Sequence, residues 1–176
     1  MELRTAAELR AVPGRRLAGY AAVFDSPARI ANFTETIRPG AFRKALANPN
    51  ADCLALVDHD NSRLLARQRS RTLRLHEDSK GLEFELDLPP TGLGNDVLAM
   101  VERGDMGGCS IGFRCIQDVW PSADVRHLVT LDLAELSLIH AHPAYDGTSI
   151  FARSRPPARL IGTPAMHARL RLAAVL

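Results

Sequence analysis

Residues 72–88 read TLRLHEDSKGLEFELDL, and the fold class turns on this stretch. Leu73 and Leu75, then Leu82, Phe84, Leu86 and Leu88, alternate with Arg74, His76, Glu83, Glu85 and Asp87. A period of two places the apolar set on one face of a strand and the charged set on the other. Between the two arms, residues 77–81 (EDSKG) have turn chemistry. The spacing therefore predicts an antiparallel hairpin with one face in a core and one in water.

Working outward, residues 17–24 (LAGYAAVF) predict a strand that stops at Asp25-Ser26-Pro27. Residues 53–57 form a compact apolar run, read as a buried strand ending in Asp58-His59-Asp60. Residues 109–116, 127–133 and 136–140 read as three more strands. Two helices interrupt them. One follows Pro39, which suits an opening helical turn, and must stop before Pro49. The other runs between Thr91 and Gly104, with Leu93, Val97, Leu98 and Val101 at helical spacing. About seven short strands with two inserted helices predict a mainly β, α+β domain, with a barrel as the expected closure. We expect residues 1–16 to form an N-terminal extension, 17–152 the domain proper, and 153–176 a basic tail rich in proline, arginine and alanine.

Composition narrows the function classes. The chain has 176 residues, with 22 Lys+Arg against 20 Asp+Glu and a formal net charge of +2. That balance supplies no basic field for duplex nucleic acid, so direct nucleic-acid binding is not expected. No apolar run approaches the roughly 18–20 residues that span a bilayer, and the N-terminus lacks the apolar segment of a signal peptide. Neither a membrane partner nor export is expected. The three cysteines, Cys53, Cys109 and Cys115, are an odd number without a CxxC pair. They imply neither a disulfide framework nor a zinc site, and the expected setting is the reducing cytoplasm with no cofactor and no metal.

Three segments could carry chemistry. His59 stands between Asp58 and Asp60 at a strand end, where an imidazole can serve as a general base or be a solvated loop residue. Ser110 lies in GDMGGCSIGF (residues 104–113), where glycines let a backbone approach a ligand, or simply make a turn into a strand. The spacing is not that of a G-x-S-x-G elbow. Glu135 interrupts an apolar stretch. If that stretch is a strand, Glu135 and Ser137 share one face while Leu136, Leu138 and His140 share the other. A carboxylate placed there must be paired, with a histidine or an arginine as the partner. His140 and His142, with His59 and Asp58 or Asp60, are a metal-ligand-like alternative that lacks a second cluster at ligand spacing.

In order along the chain stand GYAAVFD (19–25), FTETIRPGAFRKAL (33–46), LVDHD (56–60) followed by LLAR (64–67), TLRL (72–75) with KGLEFELDLPPT (80–91), VERGDMGGCSIGF (101–113) and DLAELSLIHAHPAY (132–145). The ordered set resembles the prohead, or capsid-maturation, proteases of tailed bacteriophages and prophages, over residues 17–150. The resemblance implies a serine endopeptidase related in fold to the herpesvirus assembly protease. The implied fold is a closed or nearly closed β-barrel of about seven strands surrounded by short helices. It implies Ser110 as the nucleophile, His59 as the general base and Glu135 as the group that orients it, with His140 as the alternative third member. The implied substrate is the scaffolding or N-terminal segment of the major capsid protein, and the protease itself in cis or in trans. The implied location is the host bacterial cytoplasm, inside the assembling procapsid. By analogy with the herpesvirus relatives, a homodimer is a further expectation. A module that keeps the protease fold but only binds capsid protein during assembly is the competing reading.

Overall fold

A computed structural model describes residues 1–6 and 8–140 of the chain. The expected tail, residues 153–176, and His142 lie outside the described residues. Eleven strands and two helices follow one another in the described chain. They are β1 (Glu2–Ala6), β2 (Glu8–Val12), β3 (Arg16–Val23), β4 (Ala28–Ile30), β5 (Phe33–Ile37), α1 (Arg43–Leu46), β6 (Leu54–Val57), β7 (Asp60–Arg67), β8 (Leu73–Glu77), β9 (Gly81–Asp87), α2 (Gly92–Arg103), β10 (Gly108–Ser122) and β11 (Val125–Ile139).

The expected hairpin is β8–β9, with Leu75 opposite Phe84 in antiparallel register. It belongs to a four-stranded sheet in the order β2-β3-β9-β8. A seven-stranded sheet runs β1-β10-β11-β5-β4, and β6 also pairs with β11 and carries β7. β11 organises this second sheet. Along one side it runs antiparallel to β10. Along the other, residues 125–128 pair in parallel with β5 and residues 135–138 pair in parallel with β6.

The barrel expectation is corrected by this topology. Neither sheet closes: the larger ends at β1 on one side and at β4 and β7 on the other, and the smaller ends at β2 and β8. The chain instead passes from one sheet to the other between β1 and β2. The two layers then bury their apolar faces against each other, so the core needs no closure. That core joins Leu17, Ala21 and Ala22 of β3 and Leu82, Phe84 and Leu86 of β9 to Cys109, Ile111 and Phe113 of β10 and Leu136 and Leu138 of β11. Val97 and Val101 of α2 complete it from one end. The helix starts and stops as its sequence predicts. Thr91 accepts the Gly94 N–H through its hydroxyl, and Gly104 ends the helix at φ 79°. The expected helix after Pro39 is only the four residues of α1.

The three strands expected between residues 109 and 140 are two strands of 15 residues each. The interruption at Ala134-Glu135 is a bulge: Gly112 pairs with Glu135 and Phe113 with Leu133.

Two details fix strands against their neighbours within each sheet. Gly81 faces the bulged segment of β3 so closely that an added Cβ would lie 2.0 Å from the Ala22 carbonyl oxygen. Gly81→Ala should therefore destabilise the protein by about 3 kcal/mol, because the obstacle is backbone and not a yielding side chain. Urea denaturation checks this; an unchanged midpoint would show that β3 can move away. On the other sheet, buried Arg126 of β11 bonds Glu35 of β5 at 2.9 Å, Glu2 of β1 at 2.7 Å and Asp118 of β10 at 2.8 Å. Arg4 of β1 also pairs with Glu35, so charges compensate within the cluster and hold β1 along the edge of β10.

Candidate active site

The face of the large sheet that looks away from the core carries the polar residues of the sequence reading. Leu136 and Leu138 point into the core, so Glu135 and Ser137 point outward on β11. Directly across on β10 stand Gly112 opposite Glu135 and Ser110 opposite Ser137. Opposed residues in an antiparallel pair have Cβ atoms about 4.5–5.5 Å apart and project to the same side. β6 flanks β11 on the other side, with Leu54 beside Glu135 and Leu56 beside Ser137.

β6 delivers His59. It ends at Val57 and β7 begins at Asp60, so Asp58 and His59 form a two-residue hairpin turn. Their φ angles, 52° and 62°, are both positive, as the twist-matched type I′ turn requires. Asn-Gly is the usual occupant; here a histidine takes a position that non-glycine residues seldom adopt. The turn sets His59 over β11. Its backbone N–H donates to Ser137 Oγ at 3.2 Å, and its Nδ1 lies 2.5 Å from Glu135 Oε1.

Of the three residues singled out by sequence, His59 and Glu135 are thus joined directly. Ser110 lies on the same face, one strand from Ser137. Among the described residues no hydrogen bond joins Ser110 to His59. Hydrogen bonds of this kind are often loose in a protease without substrate. Ser110 is 1% exposed and Glu135 5%, while the His59 side chain keeps 26% of its surface. Of the two partners that the sequence leaves open for Glu135, histidine and arginine, the structure shows the histidine. Gly112 makes it fit: a Cβ there would lie 2.5 Å from Glu135 Cγ and 2.9 Å from its Oε1. Only a residue without a side chain leaves room for the carboxylate opposite.

Cys53 does not compete as nucleophile at this site. Cys53, next to Leu54, has its pKa raised to about 12 by burial first and then by the negative charges of Glu135 and Asp52. It stays a thiol. His140, the alternative orienting residue, bonds Asp58, and among the described residues no hydrogen bond joins it to His59. Its Nδ1 lies 2.5 Å from Asp58 Oδ2, and its backbone N–H donates to Asp58 Oδ1 at 3.0 Å. Burial opposes the charge on Asp58, but these two hydrogen bonds, the His140 ring and Arg63 outweigh it and hold the carboxyl below its usual pKa. A carboxyl depressed in the folded state stabilises the fold above its unfolded pKa, about 4, and loses that contribution as pH falls through the folded value. The stability difference between wild type and Asp58→Asn should accordingly shrink on acidification below about pH 4. Denaturant titrations at pH 7 and pH 3 check it; a constant difference would rule the linkage out.

A family model described as caudovirus prohead serine protease matches residues 3–159. The chain belongs to this family. It is accordingly a serine peptidase of capsid maturation, its substrate class is capsid protein, and it is a bacteriophage protein of procapsid assembly in the host cytoplasm. Neither a curated protein nor a solved structure matches the chain.

Sequence reasoning missed Ser137, Gly112 and the Asp58–His140 pair as parts of this site. Gly112 had a signal, as the last glycine of GDMGGCSIG. Ser137 and the Asp58–His140 pair depend on the parallel alignment of β6 with β11, which no local spacing announces.

Proposed function

We propose that Ser110 is the nucleophile, His59 the general base and Glu135 the orienting group of a serine endopeptidase that cuts the major capsid protein during procapsid maturation. One observation carries the assignment: the His59 Nδ1–Glu135 Oε1 contact of 2.5 Å, on the sheet face that Ser110 shares. An ionised carboxylate can only accept, so this contact places the proton on Nδ1 and leaves the Nε2 lone pair free. Nε2 takes the proton of Ser110 Oγ as that oxygen attacks the peptide carbonyl. It then returns the proton to the departing amine, and a water repeats the sequence to release the acyl group. Glu135 holds the ring in this tautomer and balances the imidazolium that forms. The order along the chain (His, Ser, acid) differs from those of other hydrolases, but roles and not positions define a triad.

The proposed place of action is the interior of the assembling procapsid, with the scaffolding or N-terminal segment of the capsid protein as substrate and the protease's own chain as a second one. The test is co-expression with the phage's major capsid protein, comparing wild type with Ser110→Ala by mass spectrometry of both proteins. Wild type should shorten the capsid protein and itself, and Ser110→Ala should shorten neither. Processing that continues in the variant would overturn Ser110 as the nucleophile.

A further inference from the structure

Beside the His59–Glu135 pair stands a second histidine–carboxylate pair, made by the same two elements in the opposite sense. His59 of the turn reaches Glu135 on β11, while His140, just past the end of β11, reaches back to Asp58 of the turn. The Asp58 carboxylate accepts both the backbone and the ring N–H of His140, and Arg63 Nη1 donates to it at 3.0 Å. Asp58 in turn gives its own N–H to the Leu138 carbonyl at 2.9 Å. The turn is therefore fastened to β11 at Asp58 as well as through the bond from the His59 N–H to Ser137 Oγ.

The fastening is needed because of the turn's geometry. Two successive positive φ angles at Asp58 and His59 are costly for residues with a Cβ, and such conformations persist only where the surroundings over-determine them. Aspartate tolerates this conformation better than histidine, so the residue that bears the anchoring carboxylate is also the better suited of the two. A turn free to relax would carry the His59 ring away from Glu135 and from the row of Ser110 and Ser137.

Resting on the proposed triad, we infer that Asp58 and His140 are positioning residues for catalysis: their pair locks the left-handed turn that presents His59 to Glu135 and to the nucleophile. Neither residue touches the reacting atoms. Their effect passes through the backbone of His59, so it falls on the chemical step and not on substrate binding.

The test is steady-state cleavage of a peptide spanning the capsid site by the full chain, with Ser110→Ala alongside. His140→Ala and Asp58→Ala should each lower kcat by about 10–100-fold with KM nearly unchanged, the scale set by misplacing a catalytic group by an ångström or less. The double variant should be no worse than the poorer single one, because both remove the same clasp. Asp58→Asn should recover most of the activity, since its amide oxygen can accept from His140 and asparagine tolerates a positive φ. Asp58→Gly supplies the positive φ without strain and without the carboxylate, so it decides the matter if Asp58→Ala fails to fold. It too should lose kcat. Wild-type kcat in Asp58→Gly and His140→Ala, additive losses in the double variant, or losses confined to KM would each overturn the inference. Cleavage by Ser110→Ala would instead overturn the triad itself. An inert Ser110→Ala with fully active Asp58 and His140 variants would overturn the positioning role alone.

Discussion

Ser110→Ala should lower kcat for a capsid-derived peptide by about 10⁶-fold, leaving only what binding and dipoles supply without a nucleophile. The hydroxyl is the only group removed, and the variant's fold should be unaffected. Ser110 lies near the start of β10, paired on one side with β1 and on the other with β11. Alanine fits there without a clash and leaves no buried partner unpaired, because no hydrogen bond among the described residues ends on the serine hydroxyl. The measurement is single-turnover cleavage together with thermal unfolding. Loss of cleavage with an unchanged Tm is the expected result. Cleavage within tenfold of wild type would mean that another group attacks, and the raised pKa of Cys53 makes that thiol a poor substitute.

Glu135→Gln should cost about 10⁴-fold in kcat, the scale seen when a triad carboxylate becomes an amide. Glutamine has the same shape, so the gap left by Gly112 still fits it. What changes is the proton. A carboxylate can only accept from Nδ1, whereas an amide can also donate to it, and the ring then carries its proton on Nε2. In that tautomer His59 cannot receive the Ser110 proton. Because Glu135 is buried, water cannot take over its role. KM should hold, since the change acts on the chemical step. Nitrogen-15 spectra of the imidazole should show the tautomer exchanged; an unchanged tautomer with full activity would remove Glu135 from the triad.

Where side-chain alternation or end signals were strong, the sequence was legible. The β8–β9 hairpin follows from Leu73, Leu75, Leu82, Phe84 and Leu86, and α2 from Thr91 and Gly104, because those signals act within a few residues. The direction of Glu135 is legible for the same reason, because alternation sets it on the face opposite Leu136 and Leu138. The length of β10 was not. Beyond Phe113 most of it is exposed or half-exposed, so residues such as Gln117, Pro121 and Ser122 carry no alternation to read. Sheet closure was misjudged because it depends on which edges meet, and period-two patterns say only which face is buried. The parallel partners of β11 lie far upstream, and nothing local to residues 125–139 specifies them.

That last feature has a consequence in time. His59 and Glu135 are 76 residues apart in the chain and meet only when β11 inserts beside β6. Such distant pairings form late, because the entropy of closing a long loop is lost before the contact can compensate. A chain still emerging from the ribosome has its histidine but no carboxylate to orient it, and no completed sheet to hold its serine. On the proposed triad, the enzyme should become able to cut only once β11 has docked beside β6.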